Sequence, residues 1–158
     1  MENKTDILAA WREYQALPDS EWRKDFFCPE NGGYLVTSWK RIEAANKNPK
    51  EQQKFQKEHD MCLVFARSGM KIKYYEDEKP DGTYDVVCSG LKGDLKKTKG
   101  AGNIVRYAKY ATREQGAEIV LFELEVWNSE FRKVVDELVR KDLHGFYFIA
   151  GIETVHRF

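Results

Sequence analysis

The chain has 158 residues, 42% hydrophobic and 33% charged, and its 26 basic and 26 acidic side chains cancel. That length fits one domain able to bury a core without disulfide or metal staples. The composition excludes a disordered or collagen-like chain. The longest apolar runs, Ile119–Phe122 and Phe146–Ala150, are far too short to cross a bilayer.

The first residues, Met-Glu-Asn-Lys-Thr-Asp, lead into a mixed amphipathic stretch rather than the apolar run of a signal peptide. Cys28, Cys62 and Cys88 form no C-x-x-C pair and are odd in number. They read as reduced, semi-buried thiols, which places the chain in the cytoplasm.

Neutrality hides an asymmetry. Between Leu91 and Arg113 stand seven cations, Lys92, Lys96, Lys97, Lys99, Arg106, Lys109 and Arg113, against one anion, Asp94. A cationic window in a neutral chain points to an anionic partner at one face, or to a solvated face.

In chain order, Thr5–Leu17 carries apolar residues at helical spacing and stops at Pro18. Asp19–Phe27 reads as a second short helix, broken by Cys28-Pro29. A turn at Glu30–Gly33 leads to a short strand, Tyr34–Ser38. Trp39–Asn48 has no legible pattern. From residue 49 a helix runs to about Ser68, with Pro49 in its first turn and Gly69 as its stop. Strands follow at Lys71–Glu76, Asp85–Ser89 and Leu91–Lys97, with turns at Lys79–Gly82 and Ser89-Gly90. Next comes a glycine loop, Lys99–Gly102, with Asn103 as helix cap. A helix to Gly116, a strand Glu118–Glu125, a helix Ser129–Asp142 and strands Phe146–Ala150 and Glu153–Arg157 complete the chain. The expected class is α/β (α+β): an α-β-β-β-α-β core over 49–125, then α-β-β. Residues 1–48 form a helical and loop region packed on that core.

Strand side chains alternate between faces, so Lys92, Asp94 and Lys96 share one face of Leu91–Lys97. Buried charges need partners. Asp85, on the preceding strand, lies where its carboxylate can approach Asp94. Two carboxylates beside a lysine suit phosphodiester cleavage: the carboxylates can hold Mg²⁺ while the lysine supports charge on the phosphate. Glu58, polar within the apolar stripe of its helix, can approach from above. Gln115, at the end of the second core helix, needs hydrogen-bond partners and can bond a phosphate or cap backbone carbonyls. On an edge strand the same lysines and aspartate would simply be a solvated face.

Arg106, Lys109, Tyr110 and Arg113 recur every three or four residues, a cationic row with an aromatic suited to phosphate contact and base stacking. Lys92, Lys97 and Lys99 extend it. The glycine loop is not a P-loop, because the G-K-[ST] ending is absent. His59, His144 and His156 are unclustered, which argues against zinc. His156 can serve as a proton carrier in a metal-free ribonuclease.

The run from Tyr84 to Lys96, Tyr-Asp-Val-Val-Cys-Ser-Gly-Leu-Lys-Gly-Asp-Leu-Lys, is followed by a basic helix and Glu114-Gln-Gly-Ala-Glu-Ile-Val-Leu-Phe122. It resembles the C-terminal nuclease toxin domains of contact-dependent inhibition proteins and related phage head-morphogenesis domains. Glu58, His59 and Ala66-x-x-Gly69 resemble the opening of those domains. The resemblance spans roughly Glu51–Glu125. It implies cleavage of RNA, often tRNA, and an immunity protein as partner. The same order resembles the PD-(D/E)xK nucleases, which use Mg²⁺. That resemblance gives Asp85, Asp94 and Lys96 the motif roles, with Glu58 and Gln115 as accessories. Here the sequence departs from the pattern: Tyr84, not proline, precedes Asp85, and the literal Pro80-Asp81 sits four residues earlier. The expectation is therefore a toxin-type RNA nuclease without a cofactor. The alternatives are an Mg²⁺-dependent DNA nuclease and a non-catalytic nucleic-acid- or protein-binding module. Neither a membrane nor a second domain enters the reading.

Overall fold

The computed structural model describes residues 4–75 and 82–158. They form a mixed α/β structure with eight strands and five helices, divided into two units. One comprises 4–75 with 86–90, the other 82–85 with 91–158. Of the turn expected at Lys79–Gly82, all but Gly82 lies outside the described residues.

The first unit contains α1 (Lys4–Ala16), β1 (Trp22–Phe27), β2 (Tyr34–Ser38), α2 (Trp39–Ala45), α3 (Pro49–Arg67), β3 (Lys71–Tyr74) and β4 (Val86–Cys88). β1 pairs antiparallel with β2, and β4 antiparallel with β3. β2 and β3 are parallel, so the chain crosses between them through α2 and α3. The α3 helix starts where Asn48 accepts the Glu51 N–H at 2.9 Å and Pro49 occupies the first turn. Its inward stripe is Phe55, Met61, Cys62, Val64, Phe65 and Ala66.

Residues 22–27 are a strand, not the helix expected over Asp19–Phe27. The Pro18 carbonyl takes the N–H groups of both Glu21 and Trp22 in a turn. After it, Trp22, Phe26 and Phe27 pair along β2. A six-residue window is too short for periodicity to decide, and strand pairing prevails. Residues 39–45, which showed no pattern, are helical.

The second unit contains β5 (Leu91–Thr98), α4 (Ile104–Arg113), β6 (Ile119–Leu124), α5 (Ser129–Arg140), β7 (Gly145–Ile149) and β8 (Ile152–Arg157). β5, β6 and β7 are parallel neighbours linked through α4 and α5, and β8 returns antiparallel to β7. α4 and α5 pack Ile104, Ala108, Ala111, Phe131, Val135 and Leu138 onto Val120, Phe122, Leu124 and Tyr147 of the strands. Fully burying a side chain such as Phe122 or Leu138 contributes about 1.5–3 kcal/mol relative to leaving it exposed. Close packing demands glycine at 145, where a Cβ would sit 1.9 Å from the Val120 carbonyl oxygen.

Register fixes what β5 presents to these helices. Asp94 is opposite Val120, Lys96 opposite Phe122 and Thr98 opposite Leu124. Paired residues share a face, so Asp94 and Lys96 point to the side that α4 covers.

Among the described residues no helix is long and apolar enough to cross a membrane. The three cysteines are buried and not in disulfides, and burial pushes the Cys88 thiol up to about 12.

Candidate functional site

In the second unit, Asp94 is 1% exposed. Its Oδ2 lies 3.0 Å from Lys96 Nζ, and Lys96 remains half-buried. The contact is Coulombic rather than an aligned hydrogen bond: Asp94 Oδ2 has no hydrogen-bond partner among the described residues. A buried carboxylate oxygen facing only an ammonium retains capacity to accept a further donor or a cation. Over the pair sits Tyr107 of α4, its ring centroid 6.0 Å from Lys96 Nζ. On the same ring lies Arg106, with Cζ 5.7 Å from the centroid. Tyr107 thus links the pair to the basic face of α4.

Residues 82–85 run beside this end of β5. Thr83 N–H donates to the Gln115 carbonyl and Asp85 N–H to the Gly93 carbonyl, both at 3.0 Å. Asp85 is buried, and its Oδ2 accepts the Leu95 N–H at 2.8 Å. Its carboxylate therefore takes the place of a strand carbonyl one peptide from Asp94. The chain can pass this close to Gln115 because residue 82 is glycine: φ is +151°, and a Cβ would lie 2.6 Å from the Gln115 carbonyl oxygen. The main-chain N–H of Gln115 donates to the Tyr110 carbonyl at 3.3 Å. Its side-chain Oε1 is buried with no hydrogen-bond partner among the described residues. Two buried oxygens without an aligned hydrogen bond, Asp94 Oδ2 and Gln115 Oε1, thus stand on elements that residues 83–85 tie together.

The remaining candidates disperse. Lys92 lies over the Tyr84 ring at 5.6 Å, and its backbone N–H donates to Glu118 Oε2. Lys97 pairs with Glu123 at 3.0 Å. Arg106, Tyr110 and Arg113 are exposed, Lys109 half-buried and Lys99 exposed, so the α4 row faces solvent. Asn103 precedes α4 but makes no side-chain cap bond, contrary to the expected cap, and its φ of −106° and ψ of −1° lie outside the extended geometry of capping residues. His156 stacks on Tyr147 with ring centroids 5.0 Å apart. By register it stands three strands from Lys96, about 14 Å at ~4.8 Å per strand.

Glu58 belongs to the first unit. Its Oε1 accepts the Tyr74 hydroxyl at 2.7 Å and lies 3.8 Å from Arg41 Nη2. Arg41 is buried, donates to the Tyr74 hydroxyl at 3.0 Å, and lies 5.3 Å from the ring centroids of both Phe55 and Tyr74. Nearby, the register of β1 shifts between Lys24 and Phe26, a bulge at Asp25. The Asp25 carboxylate takes the Thr37 hydroxyl, Arg23 and, at 2.8 Å, His59 Nε2. Bulges re-aim side chains, which accounts for this convergence. Burial pushes the Asp25 carboxyl up, but the bonds from His59, Arg23 and Thr37 outweigh it and hold it below the usual range.

Sequence reasoning missed Tyr107 because it fits the apolar stripe of α4, and it missed Asp25 because a bulge leaves no pattern. Among the described residues no three His, Cys, Asp or Glu side chains form a metal-ligand group. An Mg²⁺ ion can be held by one or two carboxylates together with substrate phosphate, and the unsatisfied Asp94 oxygen fits that role.

No family model matches the chain, and no curated protein matches it. Among solved structures, it is similar to a chain of the CdiA-CT/CdiI toxin and immunity complex from Burkholderia pseudomallei. The TM-score is 0.55 at 9% sequence identity, over 72% of this chain and 89% of that one. At that identity the likeness is one of fold.

Proposed function

We propose that this chain is a toxin-type nuclease that cuts RNA. The observation that carries the reading is the buried Asp94–Lys96 pair, an ion pair whose carboxylate oxygen makes no aligned hydrogen bond, beneath a helix whose outer face is cationic and aromatic. The fold neighbour comes from a toxin and immunity complex. The D…D-x-K run of this chain and its basic α4 favour the toxin role, with an immunity protein as partner and the cytoplasm as the place of action.

In this reading α4 holds the phosphate backbone through Arg106, Lys109 and Arg113, and Tyr110 stacks on a base. Asp94 Oδ2 takes the proton of the ribose 2′-hydroxyl, O2′ bonds to phosphorus, and the P–O5′ bond breaks. The 5′-oxygen leaves with a proton from solvent, giving a 2′,3′-cyclic phosphate and a 5′-hydroxyl. Lys96 stabilises the charge on the phosphoryl oxygens. Asp85 positions the strand through the Leu95 amide. His156 has no part in this step.

The unsatisfied Asp94 oxygen also favours a second reading, in which Asp94 and Asp85 hold a divalent ion. Such an ion would activate water and offset phosphoryl charge. Incubation with total RNA and plasmid DNA, with chelator or with Mg²⁺, separates the two. RNA cutting that survives chelator supports the first, and chelator-sensitive cutting of DNA replaces it with the second. No cutting under any condition leaves a binding module.

A further inference from the structure

Resting on the RNA reading, we infer that Trp127, Tyr147 and His156 form a stacking shelf that takes one base of the nucleic acid on the indole of Trp127. Trp127 stands in the loop between β6 and α5 and is 43% exposed. Its ring lies 6° from parallel with that of Tyr147, with centroids 5.4 Å apart. His156 stacks on the same Tyr147 ring at 5.0 Å and 26°. Separations of this size are those of offset stacks. Tyr147 itself is buried, so the stack is rooted in the core and open at Trp127.

The loop is pinned at both ends. Glu125 N–H donates to the Thr98 carbonyl, and Asn128 Oδ1 accepts the Phe131 N–H, each at 3.0 Å. Val126 and Trp127, between these anchors, are both exposed. The other exposed tryptophans are committed within the first unit: Trp11 meets Phe27 edge-on at 72°, and Trp39 donates its indole N–H to the Asp19 carbonyl at 2.7 Å. Trp127 also follows the carboxyl end of a parallel strand, the end of an open α/β sheet at which ligands bind. The Glu125–Thr98 bond joins its loop to the glycine loop after β5. There Lys99 is exposed, and Gly100 and Gly102 have open space where a Cβ would stand. Tyr147 is in register with Phe122, and Phe122 with Lys96, so the shelf begins two strands from Lys96, about 10 Å at ~4.8 Å per strand. A nucleobase is the occupant this arrangement favours. Its flat face continues a coplanar stack whatever the base, and Lys99 in the adjoining loop offers charge to the phosphate beside it.

The test is equilibrium binding of a mixed-sequence 2′-O-methyl RNA oligonucleotide, which lacks the attacking hydroxyl, to the full chain across a salt series. Trp127→Ala should weaken binding roughly tenfold, the scale of one lost base stack. The slope of log affinity against log salt should stay unchanged, because no phosphate contact is lost. Trp127→Phe should keep most of the affinity, and Trp39→Ala should bind as the parent does. An abasic oligonucleotide of the same length should bind the parent and Trp127→Ala equally. The mixed-sequence oligonucleotide should quench the tryptophan emission of the parent, and much less that of Trp127→Phe. Unchanged affinity in Trp127→Ala, with equal quenching in the parent and Trp127→Phe, overturns the shelf while leaving the RNA reading standing. A salt slope that falls in Trp127→Ala also overturns it, since the loop would then serve phosphate rather than base. Failure of the parent to bind the oligonucleotide overturns both.

Discussion

Both units hold a carboxylate side chain largely away from water, Asp25 in the first and Asp94 in the second, and they treat it in opposite ways. In the first unit Asp25 is surrounded: Thr37, Arg23 and His59 all donate to it, and the nearby Glu58 is engaged by Tyr74 beside the stacked Arg41. In the second unit Asp94 is buried more deeply, yet one of its oxygens faces only the ammonium of Lys96 and makes no hydrogen bond. A buried charge whose bonds are made serves the fold, because removing it strands its partners. A buried charge that is ion-paired but makes no aligned hydrogen bond keeps part of its desolvation cost. Under the proposed function, the Asp25 cluster serves stability and the Asp94 pair serves chemistry.

The sharpest way to break that assignment is substitution at each centre. Asp94→Asn keeps the shape and removes the charge. RNA cleavage should fall by at least ~10²-fold, the scale on which acid–base groups act, while the thermal midpoint stays within a few degrees. Asp25→Ala should do the reverse. It strands Arg23, His59 and Thr37 and should cost about 3 kcal/mol in urea unfolding, with the turnover of the folded fraction retained. If Asp94→Asn unfolds the chain and Asp25→Ala does not, the two roles are exchanged.

A smaller effect sharpens the account of α4. Replacing Arg106, Lys109 and Arg113 together by alanine should reduce the salt slope for single-stranded RNA by about 2, at ~0.7 per phosphate contact. Fluorescence anisotropy across a salt series reads it, and an unchanged slope removes the helix from the interface.

The smallest effect is in pH. The carboxyl of Asp25 is held below its usual range in the folded chain, so folding stability rises as it ionises. Its contribution is fully present above the unfolded carboxyl pKa of about 3.9 and is lost as pH falls through the lower folded value. Urea midpoints of the parent should therefore drop on acidification below about pH 4. In Asp25→Asn that limb should be shallower. Equal limbs in the two proteins would contradict the bonding seen around Asp25.

Much of this architecture is legible in residues alone. The spacing of α3, with Asn48 and Pro49 at its start, and the β-forming run of β6 emerge as expected. So does the parity of Asp94 and Lys96, because side-chain alternation is a local property of any strand. What stayed hidden is long-range. His59 meets Asp25 across 34 residues of chain through a bulge that no composition signals. Residues 22–27 become a strand only because β2 is there to pair with them. Parity placed Asp94 and Lys96 on one face, but only the register with β6 and the cover of α4 say which face is buried. Tyr107 joined the site because its hydroxyphenyl ring reaches Lys96 from a stripe that reads as core.

The most direct measurement is analysis of the products made from a defined RNA by the parent chain in chelator, set beside Asp94→Asn. The account predicts fragments ending in 2′,3′-cyclic phosphate and 5′-hydroxyl from the parent, none from Asp94→Asn, and an untouched DNA strand of the same sequence. Cleavage by Asp94→Asn at the parental rate, or 5′-phosphate ends that appear only when Mg²⁺ is restored, would contradict it.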